Sequence, residues 1–197
     1  MAASGVPSPL TTMTTEILYY TKLQTQSPVG ILGLATSDRG LVLLSFKKDG
    51  HNFPPRRSGG HFRDGAVQWI EAEERTRPYA AQLTEYFAGQ RKNFDLPLDL
   101  RGTPFQKRCW EALLMIPYGS TASYADIAKA VGNPMGFRAV GMANNRNPVA
   151  IMVPCHRVIA SGGTLCGYGG GLPAKEWLLK LEGASWKAGQ DSSLRPE

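Results

Sequence analysis

Cys155 and His156 stand side by side in Pro154-Cys155-His156-Arg157-Val158, directly after the apolar run Val149-Ala150-Ile151-Met152-Val153. The thiolate is the nucleophilic form of cysteine, and a neighbouring imidazole or cation lowers the pKa that limits it. A thiol fixed at the end of a rigid, strand-like run and beside a base suits covalent sulfur chemistry. A cysteine in an apolar run also suits inert core. The pair alone leaves both readings open.

The elements that must position this pair follow from periodicity and turn signals. Residues 16–21, 31–36 and 41–46 read as strands separated by Ser27-Pro28 and Asp38-Arg39-Gly40, which predicts an antiparallel meander. Residues 48–64 are rich in Gly, Pro, His and Arg and read as a loop. Arg77-Pro78 reads as the opening of a helix with Ala81, Leu83, Tyr86 and Phe87 on one face. Residues 93–102 read as a linker between an amino-terminal α/β domain, 16–92, and a second domain, 103–187.

That second domain begins with Thr103 as N-cap and Pro104 at the first helical position. Its first helix carries Phe105, Cys109, Ala112, Leu113 and Ile116 at helical spacing and stops at Pro117-Tyr118-Gly119. Ser123 caps a short helix, Gly132-Asn133-Pro134 turns the chain, and a further helix is expected over 135–144. Two short helices around a Gly-containing turn fit a helix-turn-helix and equally a plain bundle. The small residues of Arg138-Ala139-Val140-Gly141-Met142-Ala143-Asn144 permit close approach to another surface. That surface is either protein core or a narrow DNA groove. Ser161-Gly162-Gly163 and Gly167-Tyr168-Gly169-Gly170-Gly171 make a sharply turned loop that can bring backbone N–H groups to a ligand. An amphipathic helix then runs over 174–182 to a capping Gly183.

The 197 residues carry a net charge of +6. Residues 1–100 hold +1 of it and residues 101–197 hold +5. Clustered positive charge attracts polyanions, although an ordinary basic surface gives the same excess. No stretch approaches the roughly 20 apolar residues of a membrane span. Residues 1–15 lack the pattern of a secretory signal and read as a disordered lead-in, as residues 188–197 read as a disordered tail. Three cysteines, Cys109, Cys155 and Cys166, form an odd set that suits a reducing compartment, cytoplasmic or nuclear. Cys109 is expected to pack inertly. With three histidines and no C-x-x-C or H-E-x-x-H spacing, no zinc or other metal site is expected.

Taken in order, these pieces resemble the O6-alkylguanine-DNA alkyltransferase (methylated-DNA–protein-cysteine methyltransferase) family. The resemblance rests on Tyr118-Gly119, Ser123-Tyr124, Arg138-Ala139-Val140-Gly141, Asn147-Pro148, Pro154-Cys155-His156-Arg157-Val158, Gly167-Tyr168 and Lys175-Glu176-Trp177-Leu178-Leu179. It is dense from Thr103 to Gly183 and thinner before, where Ser27-Pro28-Val29-Gly30 carries it. It implies an α+β chain. A ribonuclease H-like sheet with a helix would precede a winged-helix-like domain whose helix-turn-helix binds the minor groove of duplex DNA. It implies direct-reversal repair, in which a flipped O6-alkylguanine gives its alkyl group to Cys155 irreversibly and once, with no cofactor. A monomer is expected.

The resemblance also implies roles. Cys155 would accept the alkyl group. His156 would act on it through a bridging water, the two side chains facing opposite ways from extended backbone. Glu182, which alone reads as a solvated helix end, would orient His156 as the acid of a triad does. Asn147 would brace the turn. Tyr124 would press on the phosphate beside the flipped nucleotide and donate to the guanine. Arg138 would fill the space that the flipped base leaves, with Ala139, Gly141 and Ala143 along the groove. Tyr168, Gly169 and Lys175 would line the pocket, and the carbonyls of Cys155 and Val158 would accept from the guanine amine. The chain departs from some relatives at Ala150 and Gly169, which bears on bulky benzyl-type substrates. It also lacks any cysteine before Cys109, so the zinc held by some relatives is not expected.

Two other classes remain in view. A sensor that binds alkylated guanine without repairing it would lack the reactive thiol, so Cys155 speaks against it. A thiol hydrolase unrelated to DNA would have no use for the basic second half or the Arg138 helix.

Overall fold

The computed structural model describes residues 15–46, 53–54 and 67–187. The expected tail, the expected lead-in except for its last residue, and most of the 48–64 loop with His51 and His61 lie outside the described residues. The order of elements is β1 (Glu16–Gln24), β2 (Ile31–Ser37), β3 (Gly40–Phe46), β4 (Val67–Glu71), α1 (Glu73–Phe87), α2 (Pro104–Leu114), β5 (Ala122–Ser123), α3 (Tyr124–Ala130), α4 (Phe137–Asn145), β6 (Val158–Ile159) and α5 (Leu172–Leu181). The chain is α+β, with the sheet first and most of the helices after it.

Strands β1, β2 and β3 pair antiparallel, as the meander reading expects. β4, which the sequence reading missed, joins β1 in parallel, so the sheet is mixed in the order β3-β2-β1-β4. One face holds a small cluster of Leu18, Ala35, Val42 and Leu43. The other face supplies Leu32, Leu34, Leu41 and Leu44 to a core shared with Leu83 and Tyr86 of α1, Trp110 and Leu113 of α2, and Leu178 of α5. Apolar burial therefore runs continuously from the sheet into the helical half.

Helix α1 opens at Glu73, ahead of the expected Arg77-Pro78 start. Glu73 and Glu74 in its first turn complement the helix dipole. Pro78 lies inside, where it forfeits one backbone hydrogen bond. Both predicted caps form as capping boxes, Thr103 with Gln106 on α2 and Ser123 with Asp126 on α3. α4 starts two residues later than expected. α5 starts at Leu172, after Gly171 at φ 86°, and Gly183 at φ 70° ends it.

The largest local departure is the run Val149–Val153. It is buried throughout but is not a strand. Leu44 N–H donates to the Pro148 carbonyl at 2.8 Å and Ala150 N–H to the Leu44 carbonyl at 3.0 Å, which pins the run to β3. It then doubles back, with Met152 N–H bonded to the Ala150 carbonyl at 2.8 Å and Ile151 at φ 71°. An unbroken apolar run reports burial and does not by itself report extension. A β-branched residue at positive φ is strained, and the 1% exposure of Ile151 shows what packing holds it there.

Thr103→Ala and Ser123→Ala should each lower stability by about 1 kcal/mol, the usual value of an N-cap side chain. Urea unfolding of each variant checks this, and an unchanged midpoint would mean the caps are not contributing.

Candidate active site

Asn147 sets the turn that carries the thiol. Its Nδ2 donates to the Val153 carbonyl at 2.8 Å and lies 3.2 Å from Cys155 Sγ, while its Oδ1 accepts from Val149 N–H at 3.0 Å. One amide thus ties both ends of the folded run together, and the brace assigned to Asn147 has a geometric basis. Cys155 opens a single 3-10 turn, Cys155–Arg157. The extended backbone expected across Cys155 and His156 is not found. The two side chains diverge because that turn rotates them, not because a strand alternates them.

His156 is fully buried, with Nε2 2.9 Å from Glu182 Oε1. A ring nitrogen facing a carboxylate carries the proton, so Nδ1 is the acceptor, and it has no protein hydrogen-bond partner. Glu182, the C-cap of α5, is 5% exposed and is not a solvated helix end. Its Oε1 also accepts from the Tyr86 hydroxyl at 2.6 Å and from Arg157 Nη2 at 2.9 Å. Its Oε2 accepts from Arg157 Nε at 2.9 Å and, more weakly, from Gly119 N–H at 3.4 Å. Arg157 is itself buried and donates to the Ile116 carbonyl at 2.6 Å.

These contacts settle the charges. Burial alone would raise the Glu182 carboxyl, but hydrogen bonds from His156, Arg157 and Tyr86 hold it down at about 2. Burial pushes the His156 imidazole below its ordinary value, against the opposing pull of Glu182. Burial raises the Cys155 thiol, although Asn147 and Lys175 pull the other way. The resting array is therefore a neutral thiol, a neutral imidazole and an ionised carboxylate. A standing low-pKa thiolate, which the sequence reading calls for, is not what this environment produces.

Cys155 opens onto a cavity of about 230 Å³ lined by Phe46 of β3, Asn147, Tyr168 and Gly169 among others. Tyr168 packs its ring edge-on to Phe46, with centroids 5.2 Å apart, and stands 6.4 Å from the His156 ring. Lys175 is not among the lining residues. It is fully buried behind the cavity, where Nζ donates to the Val158 carbonyl at 2.7 Å and the Cys166 carbonyl at 3.1 Å. Burial lowers its pKa, with Cys166 and Cys155 opposing. It organises the glycine-rich loop, and it already uses one acceptor position of Val158, whose strand β6 pairs in parallel with β5.

Tyr124 starts α3 and stands beside a second cleft of about 500 Å³, with Ala125, Phe137, Gly141, Ala160 and Ser161. Burial raises its phenol, as do Cys166 and Cys155. The nearby Asn144 amide favours the phenolate, yet neither of its polar atoms closes a full hydrogen bond. Arg138 projects into solvent from the first turn of α4, and Gly141 lies against the Tyr124 ring. Ala139 and Gly141 are half-buried, whereas Ala143 turns inward and its carbonyl accepts from Trp110 Nε1 at 3.0 Å. The small residues of α4 thus serve both readings, core on one side and an open face on the other. Cys109 is fully buried, as expected of inert packing.

Tyr86, Arg157 and Gly119 were not read as site residues from the sequence. Arg157 adjoins His156 and so carried a local signal, whereas the need for Gly119, at φ 78° where an added Cβ would stand 2.8 Å from the Glu182 carbonyl oxygen, appears only in the fold. Tyr86 carried only a place on the apolar face of α1.

A cysteine that opens on a cavity and is backed by a buried imidazole–carboxylate pair, beside a helix-turn-helix on an α+β scaffold, defines a class of thiol proteins. Residues 104–184 match the family described as 6-O-methylguanine DNA methyltransferase, DNA binding domain, and residues 18–100 match its ribonuclease-like domain. A methylated-DNA–protein-cysteine methyltransferase of Methanosarcina acetivorans is 49% identical over 159 residues, covering 81% of this chain and 96% of that protein. The crystal structure of Mycobacterium tuberculosis O6-methylguanine methyltransferase superposes with a TM-score of 0.72 at 44% identity, covering 84% of this chain and 93% of that one. M. tuberculosis OGT in complex with DNA gives 0.70 at 42% identity, covering 85% and 92%. The chain belongs to the 6-O-methylguanine DNA methyltransferase family.

Glu182→Gln should destabilise the fold by about 3–5 kcal/mol at pH 7, because it leaves Arg157 buried without its anion. The carboxylate's contribution is fully present above its ordinary value of 4.5 and is lost as pH falls through about 2. The gap between wild type and variant should therefore narrow in acid. Equal urea midpoints at pH 7 would contradict the account.

Proposed function

We propose that this chain repairs DNA by direct reversal, taking the alkyl group of O6-alkylguanine onto Cys155 in a single irreversible transfer. The observation that carries the reading is the Cys155 thiol opening on a cavity, with a neutral His156 and an ionised Glu182 behind it. Family membership and the relatives named above give the same direction.

An alkyl group on O6 is buried in stacked duplex, so the nucleotide must be extruded before a thiol can reach it. In our reading the helix-turn-helix of α3 and α4 lies in the minor groove. Arg138 fills the vacated stack, and Ala139 and Gly141 let α4 approach closely. Tyr124, at the root of α3, presses on the neighbouring phosphate. The extruded base enters beside Tyr168 and Gly169, and the carbonyls of Cys155 and Val158 accept from its amine, Val158 through the position that Lys175 leaves free.

His156 Nδ1 takes the thiol proton through a bridging water, and Glu182 stabilises the resulting imidazolium. Sγ then attacks the alkyl carbon. A carbon–sulfur bond forms, the carbon–O6 bond breaks, and its electron pair stays on the guanine. A proton from Tyr124 neutralises the departing base. The products are guanine and a thioether, which has no good leaving group, so the protein acts once. No step needs a cofactor. The protein works as a monomer inside the cell, in cytoplasm or nucleus. Among the described residues, no helix is long and apolar enough to cross a membrane.

Intact mass after incubation with a duplex carrying one O6-methylguanine tests this. Wild type should gain one methyl group and Cys155→Ala none. Lesion-selective binding with no mass change would favour the non-reacting sensor.

Arg138→Ala should slow repair of duplex by about tenfold or more while sparing reaction with the free base O6-benzylguanine. Tenfold is about 1.4 kcal/mol, part of the few kcal/mol of unstacking that would no longer be offset. Parallel losses on both substrates would remove the role in extrusion.

A further inference from the structure

Three donors converge on one oxygen of Glu182. His156 Nε2 and Arg157 Nη2 each lie 2.9 Å from Oε1, and the Tyr86 hydroxyl lies at 2.6 Å. Tyr86 belongs to α1, in the half of the chain that carries neither the thiol nor the imidazole, 96 residues from Glu182. It is fully buried among the rings of Phe87, Phe94 and Tyr118, with centroids 5.2–6.2 Å away. Phenylalanine would fill that space equally well. The hydroxyl instead meets the one carboxylate oxygen that faces the imidazole.

We propose that Tyr86 is a positioning residue for alkyl transfer, whose hydroxyl draws charge from Glu182 Oε1 and so keeps His156 neutral, with Nδ1 free to receive a proton. This rests on the reading of Cys155 as acceptor and His156 as its base.

The physics is a competition for one lone-pair region. An oxygen that already accepts a short, charge-assisted hydrogen bond stabilises a facing imidazolium less. The groups around His156 divide by sign. Glu182, at the end of α5, favours the imidazolium. Arg157 on the same turn, Lys175 of α5 and burial itself disfavour it. Cys155 and Tyr168 complete the surroundings, both neutral at rest because burial raises each of them. Tyr86 is the contribution of α1, and it acts through the carboxylate. Without its hydroxyl, Glu182 keeps Arg157, His156 and Gly119 as donors, so it stays ionised and in place. Oε1 then turns more of its charge to His156. The imidazole should protonate at higher pH, and the base is lost over a wider acidic range.

Tyr86→Phe in the full chain tests this by two routes. NMR titration of the His156 imidazole needs no DNA. The pH dependence of single-turnover methyl transfer from an O6-methylguanine duplex reads the same group at work. We expect the His156 midpoint to move to higher pH and the acid limb of the rate to move with it. The rate on that limb should fall about threefold or more relative to the plateau, the scale of one weakened hydrogen bond. The plateau itself should barely change. Tyr86→Leu also loses packing, and it should shift the limb equally while unfolding more easily. Uniformly slower transfer with an unmoved His156 midpoint would make Tyr86 purely structural and overturn the proposal. If wild type transferred nothing, the reading of Cys155 would fall, while the imidazole titration would still decide what Tyr86 does.

Discussion

The buried carboxylate of Glu182 is the contact on which the rest of the site depends. A lone carboxylate in this position would be neutralised or expelled, because an unpaired charge away from water is very costly. Here it gathers donors from three parts of the chain, Tyr86 in α1, Gly119 after α2, and His156 and Arg157 beside the thiol, while Glu182 itself ends α5. The dependence is mutual for the buried charges. Arg157 buried without Glu182 would be an uncompensated cation, and Gly119 must be glycine because its backbone passes so close to the Glu182 carbonyl. The electrostatic cage that orients the imidazole is also the joint between the two halves of the molecule.

Around that joint the backbone is bent, and packing holds it together with the hydrogen bonds from β3 and Asn147. Ile151 at positive φ and the Val149–Val153 doubling-back place Cys155 where Asn147 can reach both its sulfur and the Val153 carbonyl. The strained residue is buried in the core that β3 and α2 share, with Leu44, Trp110 and Leu113. This explains why the amino-terminal sheet, which supplies no reacting group, matters to the site. β3 is the surface on which the thiol-bearing turn is folded, and α1 delivers a hydroxyl to the carboxylate.

Much of this was legible in the chain, and the exceptions share a cause. Thr103, Ser123 and Gly183 announced their helix ends because capping is local chemistry, readable three or four residues away. Cys155 and His156 announced themselves by adjacency. The strand-like runs of β1 to β3 and the turn signals between them were enough to place the meander. β4 was missed because Val67-Gln68-Trp69-Ile70-Glu71 is short and partly polar, and its partner β1 lies some 50 residues earlier. The Val149–Val153 run was misread because an apolar stretch buried on all sides has no period, whether extended or folded back. Tyr86 was placed correctly on an apolar face, but the partner of its hydroxyl is nearly half the chain away. Glu182 looked like a solvated helix end and gained a role only through the family resemblance. Local propensity cannot report a buried ionic contact, because such a contact exists only once the tertiary fold has closed around it.

The charge states of the site bear on how a protein that acts once can keep its reactivity in reserve. A thiolate standing ready at neutral pH would react with any small electrophile, and each such event would consume the molecule. Here burial outweighs Asn147 and Lys175 at the sulfur, and outweighs Glu182 at the imidazole, so both partners rest neutral. The proton has somewhere to go, because Nδ1 is an open acceptor and the imidazolium it would become already faces an anion. A neutral pair with a prepared ionic product is stable until something in the cavity favours charge separation. A base that enters the cavity and excludes water strengthens every one of these electrostatic contacts at once. Selectivity then resides in the conditions for moving one proton, and those conditions are set by groups on both sides of the joint at Glu182.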